Sequence, residues 1–249
     1  MAFRARVMTA RRIAVFAALV LALGMLLLRA PAAPAGVPLQ GDERARAIEG
    51  LQTRQREVNT FRAAVVQRKR HPLLKGEVVT EGTLLFRRPN RLRWEMATPE
   101  RLIVAIDEQT LVIYRPDRRE AERRDLRDDF GARAALEFLA AGMSFDVAEM
   151  EKRFEVDLYR EDGRLSLVMT PRSRWVARAI ASVTITQEDA DELPRQIVVV
   201  GQKGDRTDTT LTHVVVNPPL ADDAFTLRLE PDVRVVEARR PGQETPGGR

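Results

Sequence analysis

Hydrophobic and polar positions follow two different periods along this chain. From Asp42 to about Val58, Ala45, Ile48 and Leu51 recur at helical spacing with charges elsewhere. Asp42 carries a side-chain oxygen suited to capping the start of that helix. The apolar stripe is narrow, so the helix is expected to lie on the surface of something apolar. After Thr60 the period changes to two, with Phe61, Ala63 and Val65 alternating with Arg62 and Ala64. A turn at His71-Pro72 follows. Residues 77–88, 91–97, 101–107 and 110–115 then read as consecutive strands. They are short and closely spaced, which predicts antiparallel hairpins. Residues 118–126 form a further strand, dense in charges of both signs.

The stretch Phe130 to Gly142, FGARAALEFLAAG, breaks the series and is helical by composition, with Gly142 as its stop. Phe130, Leu136, Phe138, Leu139 and the alanines make most of its circumference apolar, so it must be covered on more than one side. Strands resume at 153–159, 164–170, 179–187, 193–201 and 206–216, with Asp162-Gly163 as a turn. Phe225–Leu229 and Val233–Val236 are expected as short closing strands. The total is about eleven strands and two helices, mainly antiparallel β. A sheet of that size curls or closes.

Charge changes the picture at one end only. Residues 1–35 hold Arg4, Arg6, Arg11, Arg12 and Arg29 and no acid. The remainder balances 36 Lys and Arg against 36 Asp and Glu, so the pI near 10.1 does not indicate a nucleic-acid partner. Basic Arg4 to Arg12, apolar Ile13 to Leu28 and Ala33-Pro34-Ala35 read as a signal peptide. An uncleaved membrane anchor is the alternative. Residues 36–238 are read as one domain and 239–249 as a disordered tail. The chain has no cysteine, which excludes disulfides, thiolate zinc sites and lipid attachment to an N-terminal Cys.

Catalytic patterns are not found. His71 and His213 lie far apart, and Ser144, Ser166, Ser173 and Ser182 sit in no nucleophile elbow. Gly201-Gln-Lys-Gly204 reads as a hairpin turn, and Asp128-Asp129 and Asp222-Asp223 as solvated loop acids. The reading is a non-enzyme without cofactor or metal. The informative segment is 82–96. Gly82, Leu84, Phe86 and Arg88 share one strand face, and Leu92, Trp94 and Met96 share the dry face of the next. If that face is inward, Arg88 points toward the mouth of an apolar concavity, where carbonyl oxygens or a carboxylate would satisfy it. Otherwise Arg88 ends its strand before Pro89 and snorkels into water. The apolar helix and curved sheet could make a closed core or a lidded cavity.

The run Glu81-Gly-Thr-Leu-Leu-Phe-Arg-Arg-Pro-Asn-Arg-Leu-Arg-Trp-Glu-Met96 carries a resemblance. With Pro99, Ile103 to Asp107, Thr110 to Pro116 and Val58 to Phe61 with Gln67, it resembles the LolA family of periplasmic lipoprotein carriers. The resemblance implies an unclosed (half) β-barrel with α-helices covering a hydrophobic cavity. It implies acylated lipoproteins as cargo, an inner-membrane ATP-driven release complex as donor and an outer-membrane receptor as acceptor. It places a monomer in the periplasm. Arg88 matches the family arginine that bonds lid-region groups in the closed state. Leu84, Phe86, Leu92, Trp94 and Met96 fall on the cavity side, and Phe130, Leu136, Phe138 and Leu139 in the lid region. Asp222-Asp-Ala-Phe225 looks like the penultimate strand. The sequence departs from the family at Asp107-Glu108-Gln109, in the charged stretch 115–129 and after residue 236. Carriage or sensing of another envelope lipid, or a regulatory module of the same fold, are the competing readings.

Overall fold

The computed structural model describes residues 36–73, 75–127 and 147–237. The signal segment, Asp128-Asp129, Ser144, the helix expected at 130–142 with Phe130, Leu136, Phe138 and Leu139, and the tail lie outside the described residues. Helix α1 spans Gly41–Arg56. Strands β1 (Thr60–Arg70), β2 (Glu77–Arg87), β3 (Arg91–Met96), β4 (Leu102–Asp107), β5 (Thr110–Arg115) and β6 (Glu120–Asp125) follow. After the short helix α2 (Val147–Glu151) come β7 (Phe154–Glu161) and β8 (Arg164–Pro171). The four-residue helix α3 (Arg174–Ala177) leads to β9 (Ile180–Glu188), β10 (Gln196–Gly201), β11 (Arg206–Val216) and β12 (Arg234–Glu237).

All twelve strands form one sheet in the order β12-β6-β5-β4-β3-β2-β1-β11-β10-β9-β8-β7. Every pair is antiparallel except β12 with β6. The outer strands β12 and β7 do not meet, so the barrel stays unclosed. Most expected strands end within about two residues of the observed ones. The β7–β8 connection is the two-residue Asp162-Gly163 turn, both residues at positive φ (49° and 73°), which suits the twist of a hairpin. The Gly201 to Gly204 segment is a turn, closed by the Gly204 amide donating to the Gly201 carbonyl at 3.0 Å.

Expectations for α1 and for the segment after β11 change. Helix α1 starts at Gly41, with Gln40 in the cap position, so Asp42 lies in the first turn, where its charge suits the helix dipole. Its buried line is Ala47, Leu51 and Gln55, while Ala45 is exposed. Phe225–Leu229 is not a strand. Asp222–Phe225 forms a 3-10 turn, because Phe225 is anchored by its side chain: it is fully buried, with the Arg87 guanidinium 5.3 Å above its ring.

Alternation sorts the apolar residues onto one inner face. Its first half carries Phe61, Val65, Leu84, Phe86, Leu92 and Ile106 from β1 to β4. Its second half carries Leu158, Leu167, Met169 and Ile185 from β7 to β9, and receives Ala47 and Leu51 of α1. Phe61 and Phe86 stack at 5.3 Å across the β1–β2 pair. The outer face of β3 is less wet than its alternation predicts. The Arg93 guanidinium donates to the Ala224 carbonyl at 3.1 Å, and Val112 and Ala121 pack with Val233, Leu227 and Leu229. The C-terminal segment therefore straps the outside of this half of the sheet. No helix among the described residues is long and apolar enough to cross a membrane.

Candidate functional site

Arg88 directly follows β2, at the rim of the inner face. Its Nε donates to the Val58 carbonyl at 2.6 Å, and its Nη2 to the Gln55 carbonyl at 2.9 Å. Gln55 lies in the last turn of α1 and Val58 two residues past it, where the helix dipole concentrates negative potential. A forked, permanently charged guanidinium suits two such acceptors at once. The Arg88 amide donates to the Asn59 carbonyl at 2.9 Å, so main chain and side chain grip the same turn. Asn217, at the end of β11, holds it from the other side. Its Oδ1 accepts from the Asn59 amide at 2.8 Å and its Nδ2 donates to the Glu57 carbonyl at 2.8 Å. Asn217 takes φ 52°, a left-handed conformation that asparagine tolerates better than most residues.

Leu84, Phe86, Leu92 and Met96 are all buried in the first half of the inner face, with Trp94 half-buried beside them. Register explains the grouping: Leu84 faces Trp94, Phe86 faces Leu92 and Gly82 faces Met96 across β2–β3. Gly82 is required there, since a Cβ would stand 1.9 Å from the Glu95 carbonyl oxygen. The structure thus brings these five side chains onto one face, with Arg88 at its edge.

Sequence reasoning anticipated carbonyl acceptors for Arg88 without saying which, and it missed Asn217 and a polar band on the same face. Gln67 follows Val65 on the dry side of β1 and is fully buried; its Nε2 donates to the Thr209 Oγ1 at 3.1 Å. The Gln67 Oε1, the Thr207 Oγ1, the Trp94 Nε1 and the Gln55 amide are buried without a hydrogen-bond partner among the described residues. Lys69 continues the line, opposite Thr207. Burial pulls its ammonium down from the usual 10.5 to about 8. The period-two pattern that put Phe61, Ala63 and Val65 inside places Gln67 and Lys69 there too, so the signal was available. His71 and His213 do not cluster, and no group of three metal-type ligands occurs among the described residues.

One family model, described as outer membrane lipoprotein carrier protein LolA, matches residues 56–228. The chain belongs to the LolA family. The match includes Arg88, the five inner-face residues and Asn217, and begins at the last residue of α1. Among curated LolA-family relatives, the outer-membrane lipoprotein carrier protein of Cupriavidus taiwanensis is 26% identical over 204 residues, covering 80% of this chain and 92% of that protein. The protein of the same name from Cupriavidus necator is 27% identical over 204 residues, with the same coverage. Of solved structures, an uncharacterized conserved protein from Thermus thermophilus superposes with a TM-score of 0.52 at 14% identity, covering 78% of this chain and 99% of that one. That likeness extends to the fold.

Proposed function

We propose that this protein is a periplasmic, non-enzymatic carrier that shields the acyl chains of lipoproteins and ferries them from the inner to the outer membrane. An inner-membrane ATP-driven release complex supplies the cargo and an outer-membrane receptor takes it. Family membership supports the cargo class, and the observation that carries the mechanism is the Arg88 fork on the Gln55 and Val58 carbonyls. An acyl chain in water costs about 0.8 kcal/mol per CH2, so roughly 12 kcal/mol for a chain of sixteen carbons. A covered apolar face removes that cost during transit. Tight binding would block delivery, and the latch moderates it. Loading must first break the Arg88 bonds, and releasing cargo re-forms them. In this reading Leu84, Phe86, Leu92, Trp94 and Met96 contact the chains, with Phe130, Leu136, Phe138 and Leu139 in the cover.

The test is a release assay. The purified exported protein is added to spheroplasts that display a triacylated lipoprotein and its release complex. A soluble one-to-one complex in the supernatant is the expected result; none, from folded protein, refutes lipoprotein ferrying. The unpartnered polar atoms of Gln67, Thr207 and Gln55 favour one second reading, a carrier for an envelope lipid whose polar head also enters the fold. Native mass spectrometry for a co-purified lipid separates the two.

A further inference from the structure

At the end of the sheet away from Arg88, the hairpin ends of β7 to β11 gather cations around one exposed indole. Trp175 of α3 is 59% exposed, and its exposed neighbours include Arg172, Arg174 and Arg178. The Arg172 amide donates to the Arg153 carbonyl at 2.9 Å, which brings Lys152 and Arg153 alongside. The Gln202 amide donates to the Ala179 carbonyl at 3.0 Å, which brings the turn carrying Lys203. The Arg172 Nε donates to the Glu151 and Phe154 carbonyls at 3.1 and 2.9 Å, and so fixes the platform.

Among the described residues, the acids at this end are Glu149, Glu151, Glu155 and Asp205, against the cations Lys152, Arg153, Arg172, Arg174, Arg178 and Lys203. Glu149 pairs with Lys152, Glu151 pairs with Arg44, and Asp205 is buried. Arg174 and Arg178 form no ion pair among the described residues, and their spacing of four puts them on one side of a helical turn. The chain after residue 35 has equal numbers of cationic and anionic side chains, so the local excess is a matter of placement rather than composition.

We propose that this end of the sheet docks on an anionic phospholipid bilayer, with Trp175 in the headgroup layer and Arg174 and Arg178 on lipid phosphates. An exposed indole with exposed arginines three residues to either side of it and adjacent in sequence matches the bilayer interface, where apolar and wet surroundings meet within a few ångström. The cations add long-range attraction to an anionic leaflet. The inference is independent of the cargo reading. Docking here turns the Arg88 end of the sheet away from the bilayer.

The test uses the purified exported protein, without residues 1–35, with vesicles of brominated phosphatidylcholine, with or without about 30% phosphatidylglycerol. The chain has two tryptophans, so the difference between it and Trp175→Phe isolates the Trp175 signal. Bromine quenching of Trp175 is expected on the anionic vesicles, weakened by salt and at least about threefold less on neutral ones. Arg174→Glu with Arg178→Glu is expected to lower the affinity behind that quenching by about tenfold or more. Arg160→Glu with Arg164→Glu makes the same charge change at the opposite end of β7 and β8 and is expected to leave it intact. Absence of Trp175 quenching overturns the proposal, as does equal loss in both double variants. Trp175-dependent capture of an acidic protein without quenching by lipid also overturns it.

Discussion

Arg88→Leu is the sharpest perturbation of the latch. The wild-type side chain donates two charge-assisted hydrogen bonds, at 2.6 and 2.9 Å, to the turn that follows α1 and to its last turn. Hydrogen bonds to a charged group contribute about 1.5–3 kcal/mol each. Three features reduce the sum. Arg88 is half-buried, so water replaces part of each bond. The Gln55 carbonyl keeps the Val58 amide as a donor at 3.0 Å. Asn217 still holds the Glu57 carbonyl and the Asn59 amide. A net loss of about 2–3 kcal/mol is expected, which raises the population with α1 detached by about 30- to 150-fold. Hydrogen exchange reads this directly: α1 amides from Gly41 to Arg56 should exchange faster by that factor, while β8 to β10 amides stay protected. Arg88→Lys, which supplies charge without the fork, should fall between the two. Unchanged α1 exchange in Arg88→Leu would refute the latch, and normal cargo transfer alongside it would remove Arg88 from the mechanism.

Other perturbations separate docking, sheet geometry and buried charge. Leu51→Ala empties a fully buried position between α1 and β7–β10; a loss of about 2–5 kcal/mol is expected in urea unfolding. Gly82→Ala forces a Cβ against the Glu95 carbonyl at 1.9 Å and should cost about 3 kcal/mol by widening the β2–β3 pair, seen as a lower thermal midpoint. Lys69→Met should stabilise by about 1–2 kcal/mol at pH 7, after allowance for its partly wet position. The sign follows from its folded value of about 8 against 10.5 unfolded: below pH 8 the folded state carries the full cost of a buried ammonium. Wild-type stability rises from pH 8 to 10.5 as that proton leaves, so the advantage of the methionine variant should fade across the same window. A constant difference from pH 7 to 10.5 would show that Lys69 is solvated in the folded state.

Period-two alternation was enough to determine the inner face, because a strand has only two sides and water selects between them. Phe61, Leu84, Phe86, Leu92 and Met96 are buried where that rule puts them, and the short hairpin spacing determined the neighbour order from β1 to β6. Where a side chain overrides backbone pattern, the sequence misled: Phe225 sits in a strand-like stretch but plugs the outer face beneath Arg87. Helix α1 was legible as a helix, yet its stripe moved from Ala45 to Ala47, because which arc is buried depends on the sheet it meets. Arg88 could be singled out by parity alone. Its acceptors could not, since they are backbone carbonyls about thirty residues away. Every residue type carries a carbonyl, so composition and spacing are blind to it. Only the tertiary structure, by carrying the end of α1 over the rim of β2, decided what that guanidinium holds.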